Sequence, residues 1–278
     1  MSGFRRISEA VLAGVLALVA PAAAEPPERV VSMNLCTDQL ALMLAAPGQL
    51  VSVTAFAQDP RQSAMAAEAA ALPANHARAE EVYALAPDLV LASDFTAPAT
   101  LAMLRRLGIA VETFPAATSL DDVAAAIRKM GSALGREAEA EAMAARFETD
   151  VAALRADAAA APRHPRALLY EANGYAQGSD TLAGEILAAA GFANAADEVG
   201  LAAGGMLSLE QLAMLAPEAV ILPEPPPGTA RGYELLAHPV VQALGAQAVP
   251  QSDRDWTCAT PHVLRAAARL AEARRKLP

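Results

Sequence analysis

One short pattern occurs twice in this sequence, and it constrains the fold more than any other feature. Residues 80–92 read EEVYALAPDLVLA and residues 210–222 read EQLAMLAPEAVIL, so corresponding positions lie 130 apart. Each copy begins with a glutamate, Glu80 or Glu210, seven residues before its proline. The proline favours the end of a short helix, and the apolar run after it is typical of a buried strand. The repeat therefore predicts two related α/β lobes in one chain.

The segments that open each lobe support this interpretation. An apolar strand at 29–33 is followed by a polar turn and a helix, and a strand at 166–170 is followed by a polar turn at 173–178 and a helix at 181–191. A turn between a strand and a helix points into whatever cleft lies above the strand ends. We therefore expect both lobes to begin with the same strand, turn and helix.

The lobes are connected by a stretch with apolar side chains at helical spacing. It runs from 119 to 161, and Gly131 and Gly135 could divide it into two helices. We predict a first lobe at 25–118, a linking helix at 119–161 and a second lobe at 162–278. The expected fold class is α/β, with two Rossmann-like lobes joined by a long rigid α-helix and a ligand cleft between them.

The first 24 residues have the features of a secretory signal. Arg5 and Arg6 precede an apolar run, and Ala22-Ala23-Ala24 supplies a cleavage site. The apolar run is shorter than the roughly 20 residues that a membrane-spanning helix needs. No cysteine stands at the cleavage point to carry a lipid anchor. We therefore expect a soluble protein in the periplasm.

The charge balance narrows the classes of partner. Removing residues 1–24 takes away two of the 21 basic and one of the 31 acidic side chains, which leaves a net charge of −11. Such an acidic protein is repelled by nucleic acid and by anionic membranes. We expect neither as a partner, and no direct insertion into a membrane.

The two cysteines, Cys36 and Cys258, stand near opposite ends of the predicted mature chain. In an oxidising compartment a disulfide is the default interpretation. Two free thiols and a pair of soft metal ligands are the alternatives. The spacing alone does not decide among them.

The order and spacing of these elements resemble the helical-backbone class of periplasmic substrate-binding proteins, which serve ABC importers of ferric siderophores, haem and cobalamin. The resemblance covers essentially all of residues 25–278. It implies a monomer without enzymatic activity that binds an iron or cobalt chelate and carries no other cofactor. Its partner would be a permease dimer, which Glu80 and Glu210 would contact. Glu81 is an alternative to Glu80, and both glutamates also suit the first turn of a helix for electrostatic reasons alone.

The same resemblance implies a ligand cleft formed by turns at the carboxyl ends of strands, which is also the general rule for open α/β sheets. Trp256 and Tyr175 favour a macrocyclic ligand, Arg254 favours an anionic chelate, and Trp256 could equally pack at the lobe interface. The sequence leaves the chelate open. The candidate ligand-binding residues are Asn34, Cys36, Thr37, Gln58, Asp59, Asp94 and Phe95 in the first lobe and Asn173, Tyr175, Glu224, Arg254 and Trp256 in the second.

Two other functions compete with this one. A receptor for a bare divalent metal would need clustered histidines and carboxylates, but His76, His164, His238 and His262 are scattered along the chain. An enzyme on a related α/β fold would be the other alternative. The chain has no G-x-S-x-G, H-E-x-x-H or P-loop motif, so we expect a binding protein rather than an enzyme.

Overall fold

The computed structural model describes residues 25–223, 231–244, 248–251 and 253–277. The predicted signal segment at 1–24 and the candidate residue Glu224 lie outside these ranges. None of the helices within them has both the length and the apolar character needed to cross a membrane.

The first lobe is a five-stranded parallel sheet with helices between its strands. The strands run in the order β3-β2-β1-β4-β5. The direction of winding changes between β1 and β4, and ligands of open α/β sheets bind at such a point. The elements are β1 (Val30–Ser32), α1 (Leu35–Leu44), β2 (Leu50–Thr54), α2 (Ala66–Ala69), β3 (Ala74–Asn75), α3 (Ala79–Ala84), β4 (Leu89–Ser93), α4 (Pro98–Arg106) and β5 (Ala110–Phe114).

The connection between the lobes is two packed helices, a division that the sequence left open at Gly131 and Gly135. These are α5 (Leu120–Leu134) and α6 (Glu137–Ala159). Gly135 ends α5 in a left-handed conformation with φ of 68°, which a residue without a side chain adopts at no steric cost. Gly131 does not break the helix. A Cβ atom at Gly131 would lie 2.1 Å from the Cβ of Ala140, so the glycine permits close packing of α6 on α5.

The second lobe is a mixed six-stranded sheet. Strands β11, β10 and β6 pair in parallel. On the other side of β6, β7 pairs antiparallel with β6 and β9 pairs antiparallel with β7, while β8 pairs with the start of β6. The elements are β6 (Arg166–Tyr170), β7 (Tyr175–Gln177), α7 (Leu182–Ala189), β8 (Ala193–Asn194), β9 (Gly205–Met206), α8 (Leu209–Leu215), β10 (Ala219–Pro223), α9 (Arg231–Glu234), α10 (Pro239–Ala243), β11 (Ala248–Gln251) and α11 (Val263–Lys276).

The second lobe does not open as the first one does, so this expectation was wrong. Asn173 and Gly174 take positive φ values of 60° and 80°. Two left-handed residues reverse the chain tightly, and β7 therefore folds back on β6 before α7 begins. The amide of Glu171 donates to the carbonyl of Tyr175 at 2.7 Å and closes this turn.

The 130-residue repeat is also present in the structure. Helices α3 and α8 begin 130 residues apart, as do strands β4 and β10. Ala86 and Ala216, which precede the repeated prolines, take left-handed φ values of 47° and 41°. A residue before proline avoids the helical region, so each helix must end at this point.

An arginine holds each of these helix ends. Arg29 donates to the carbonyls of Leu85 and Ala86 at 2.8 and 3.1 Å. Arg166 donates to the equivalent carbonyls, at 2.8 and 3.3 Å, in the second lobe. These carbonyls have no partner within their own helices, so each arginine satisfies a helix end and ties it to the first strand of its lobe.

One continuous hydrophobic core joins the two lobes. It contains Leu91 from β4, Ile127 from α5, Phe147 from α6, Leu169 from β6 and Leu270 from α11. The opposite faces of the sheets have separate cores, under α3 and α4 in the first lobe and under α8 and α10 in the second. Because the inner core crosses from lobe to lobe, a large separation of the lobes would expose it to water.

Candidate ligand-binding site

Two adjoining cavities lie between the lobes. The larger has a volume of about 420 Å³ and is lined mainly by the second lobe, and the smaller has about 130 Å³ and is lined mainly by the first. Ala117, Leu182 and Thr257 line both. The two cavities are therefore parts of one cleft.

The start of α1 forms one wall of the smaller cavity. Asn34 caps this helix by accepting a hydrogen bond from the amide of Cys36 at 2.9 Å. The hydroxyl of Thr37 lies 2.7 Å from that of Ser32 and donates to the carbonyl of Asn34 at 2.9 Å. Three sequence candidates, Asn34, Cys36 and Thr37, thus come together in the wall of this cavity.

Aromatic and small apolar residues form the rest of the smaller cavity. Phe95 lines it with 81% of its surface exposed, and Phe114 lines it from a buried position at the end of β5. Asp94 is exposed and lines neither cavity. Phe114 was not predicted, although its place at a strand end could have indicated it.

A disulfide joins the lobes at the cleft. Cys36 and Cys258 are bonded, with an S–S distance of 2.15 Å, across 222 residues of sequence. The disulfide prediction is confirmed, and the alternatives of free thiols and of metal ligands are wrong for this structure. Cys36 is half-buried and lines the smaller cavity, whereas Cys258 is buried.

One carboxylate and several neutral polar groups of the second lobe line the larger cavity. Glu171 directly follows β6, and its carboxylate accepts a hydrogen bond from the side chain of Gln177 at 3.0 Å. Thr181 caps α7. Tyr233 from α9 completes this side. Sequence reasoning could have found Glu171 from its place at a strand end, but nothing in the local sequence indicates Tyr233.

Trp256 occupies both of the places that the sequence left open, the core between the lobes and the wall of the cleft. It belongs to the shared core, and 8% of its surface is exposed where it lines the larger cavity. Tyr175 is half-buried and lines neither cavity. Asn173 is exposed in the turn after β6, and it too lines neither cavity.

Three other candidates lie outside both cavities and bind the protein itself. The side chain of Gln58 donates to the carbonyls of Ala69 and Leu72, at 3.2 and 2.8 Å. Asp59 pairs with Arg61 at 2.8 Å, and hydrogen bonds from this arginine lower the pKa of Asp59. Arg254 donates to the carbonyl of Pro60 at 3.0 Å, so it bridges the lobes.

The cleft has few charged side chains, which limits the kinds of ligand and metal it can bind. Among the described residues that line either cavity, Glu171 is the only charged side chain. The described ranges also contain no group of three or more histidine, cysteine or acidic side chains that could hold a metal ion. The bare-metal alternative therefore has no site within the part of the chain that the structure describes.

The two repeated glutamates occupy equivalent exposed positions. Glu80 and Glu210 are each the second residue of their helices, α3 and α8. The pKa of Glu210 is lowered by hydrogen bonds from its own backbone amide and from the hydroxyl of Ser208. Glu81 instead accepts a hydrogen bond from the amide of His76 at 2.7 Å, so its carboxylate is held by the first lobe.

An apolar side chain is exposed one helical turn after each glutamate. Tyr83 follows Glu80 by three residues with 54% of its surface exposed, and Met214 follows Glu210 by four with 86% exposed. Residues at these spacings share one face of a helix. Each lobe thus presents an acidic group beside an apolar one.

Comparison with known proteins agrees with this architecture. Residues 30–249 match the model of a family described as periplasmic binding protein. The chain belongs to this family. Membership confirms the expectation of a binding protein rather than an enzyme.

The chain is also similar to individual proteins whose ligands are named. The chain is 33% identical over 199 residues to a cobalamin-binding protein of Halobacterium salinarum, a match that covers 70% of this chain and 53% of the relative. The chain therefore spans about half the length of that relative. A periplasmic heme-binding protein from Pseudomonas aeruginosa superimposes with a TM-score of 0.72 at 26% identity, covering 89% of this chain and 92% of the other. The vitamin B12 binding protein BtuF of Vibrio cholerae has the same fold, with a TM-score of 0.69 at 20% identity over 90% of this chain and 97% of its own.

Proposed function

We propose that this protein binds a corrinoid of the cobalamin type in the cleft between its lobes and delivers it, in the periplasm, to the permease of an ABC importer. The observation that carries the proposal is the composition of the cleft. Aromatic rings from Trp256, Tyr233 and Phe95 line it together with neutral hydrogen-bonding groups. Rings bind the flat faces of a macrocycle, and the polar groups suit its amide side chains.

The charge of the cleft favours a corrinoid over an anionic chelate. Carboxylates are bound preferentially by arginine, and no lysine, arginine or histidine is among the described residues that line the cavities. Corrinoids carry amides in place of most carboxylates, and their cobalt is already coordinated by the ring. They therefore require no cluster of protein ligands. The identity to a protein named as cobalamin-binding supports the same choice.

Haem is the second candidate, because of one residue. Tyr233 lines the larger cavity, and tyrosine is an axial ligand of haem iron in some proteins. The heme-binding relative from Pseudomonas aeruginosa supports this candidate. Against it stands the lack of a basic side chain for the propionates among the described lining residues.

Fluorescence of Trp256 tests the proposal, because this is the only tryptophan in the sequence. Cyanocobalamin, hemin and a ferric hydroxamate are titrated into the purified protein. After correction for the light that the ligand itself absorbs, we expect saturable quenching by cyanocobalamin. A free indole compound titrated in the same way is the control for this inner-filter effect. Saturable quenching by hemin alone would favour the second candidate. If none of the three quenches and none binds in equilibrium dialysis, the proposed function is wrong.

Delivery to a permease is supported by the paired glutamates. Glu80 and Glu210 are exposed at equivalent places of two lobes, where they suit two arginines of a two-fold symmetric partner. Tyr83 and Met214 would add apolar contact beside each charge. The arrangement therefore suits a partner with a basic and an apolar group at each of two sites.

Charge reversal tests the docking. The double variant Glu80→Lys with Glu210→Lys should bind ligand as the original protein does and lose ligand-dependent transport by the reconstituted permease. Glu81→Lys is the matched control, because Glu81 is held by His76. Retained transport in the double variant would contradict the docking proposal, and loss in the control alone would assign the contact to Glu81.

A further inference from the structure

The smaller cavity has the character of an apolar subsite. Its walls include Leu40, Phe95, Phe114, Ala126 and Leu182. Its volume of about 130 Å³ is close to the roughly 150 Å³ of an engineered apolar cavity that binds benzene. One small aromatic ring system fits a space of this kind, with part of it projecting into the larger cavity.

Several polar atoms in its wall already bind the protein itself. The side-chain oxygen of Asn34 accepts from the amide of Cys36, and the hydroxyl of Thr37 is bonded to Ser32 and to the carbonyl of Asn34. The sulfur of Cys36 is bonded to that of Cys258. A group that entered here would therefore gain mainly apolar contact and few hydrogen bonds.

The cavity wall is also fixed before ligand arrives. The disulfide and the cap of α1 hold one side, and the shared core holds Phe114 and Leu182 on the other. A preformed wall costs little ordering when a ligand binds, so it contributes to affinity and selectivity.

The larger cavity next to it is more polar, because Glu171, Gln177 and Thr181 form part of its wall. We propose that the cleft is divided, so that the macrocycle and its amides occupy the larger cavity while a planar aromatic appendage of the same ligand enters the smaller one. This inference rests on the proposed function. In a cobalamin the appendage is the dimethylbenzimidazole of the nucleotide loop, and cobinamide is the same macrocycle without the nucleotide, so it lacks the aromatic base together with its ribose and phosphate.

Comparing these two ligands tests the division directly. Cyanocobalamin and dicyanocobinamide are each titrated into the purified protein by calorimetry. We expect cobinamide to bind roughly 10- to 100-fold more weakly, the change that burial of one aromatic ring gives. Equal affinities would overturn the subsite and leave the proposed function standing. If neither ligand binds, the subsite falls together with the function.

Filling the cavity provides a second test with a matched control. Ala126→Leu places a larger side chain on α5 inside the smaller cavity, whereas Ala125→Leu makes the same change at an exposed neighbouring position. Ala126→Leu should lower cobalamin affinity to about that of cobinamide and leave cobinamide binding unchanged. Ala125→Leu should change neither.

A second variant, at an exposed side chain, keeps the subsite testable if Ala126→Leu fails to fold. Phe95→Ala removes a ring that is mostly exposed, so it costs little stability. It should weaken cobalamin several-fold more than cobinamide. Unchanged selectivity in both Ala126→Leu and Phe95→Ala, with folded protein confirmed by circular dichroism, would overturn the subsite.

Discussion

Asp38 makes the stability of this protein depend on pH in an unusual direction. The residue is fully buried in the first turn of α1. One carboxylate oxygen accepts from the amide and hydroxyl of Thr54 at 3.1 and 2.5 Å, and the other has no hydrogen-bond partner among the described residues. Burial raises the pKa of Asp38 to about 7, and the hydrogen bonds from Thr54 offset this only in part.

The sign and size of the effect follow from this pKa. The unfolded chain loses the proton of this aspartate near pH 4, whereas the folded protein retains it up to about pH 7. Between these values the folded state binds more protons, so stability falls as pH rises. From about pH 5.5 to about pH 8 the loss from this one group is about 2 kcal/mol. Above pH 8 the contribution no longer changes.

The substitution Asp38→Asn removes the titration while keeping the shape of the protonated acid. We expect urea unfolding to show that the original protein loses about 2 kcal/mol relative to the variant between about pH 5.5 and about pH 8. His262 acts in the opposite direction, because burial lowers its pKa and its protonation destabilises the fold as pH falls. It is present in both proteins and therefore cancels in the comparison. Parallel pH profiles for the two proteins would refute a raised pKa for Asp38.

Three further outcomes are expected. Replacing both Cys36 and Cys258 by serine should lower the free energy of unfolding by about 2 to 5 kcal/mol, because the disulfide closes a long loop. The original protein, denatured without reductant, should show no thiols on titration, and two thiols would contradict the disulfide. Ala216→Gly should raise the free energy of unfolding by about 0.5 to 1 kcal/mol, because it relieves a left-handed φ, whereas Ala213→Gly in the interior of α8 should lower it by about 1 kcal/mol. Arg166→Met should cost about 1 to 3 kcal/mol in thermal unfolding, because it leaves the end of α8 without its donors, and an unchanged melting temperature would show that water replaces them.

The repeat could be predicted from the sequence because its signals are local. A proline fixes where the helix must end, and the apolar run after Pro87 or Pro217 has the length of a buried strand. Both helices, both strands and the exposure of Glu80 and Glu210 agree with that pattern. The disulfide was predictable for a different reason, because a predicted export signal and two cysteines suffice to favour it.

The details of the cleft could not be predicted, because they depend on contacts between distant residues. Gln58 follows a strand and looks like a ligand-binding side chain, but it satisfies carbonyls at the end of α2. Arg254 looks like an anion-binding residue, but it donates across the lobes to Pro60. Tyr233 lines the larger cavity from α9, a helix that packs on the turn after β6 and is distant from it in sequence. The chain reversal at Asn173 could not be predicted, because a single asparagine in the left-handed conformation leaves no periodic pattern in the sequence.

Calorimetry of the purified protein with cyanocobalamin is the most direct test of corrinoid binding in the cleft. We expect one ligand per chain, a dissociation constant in the micromolar range or tighter, and a negative heat-capacity change from apolar burial. Hemin and a ferric hydroxamate should bind more weakly. Absence of binding by cyanocobalamin under conditions where the protein is folded would contradict the account.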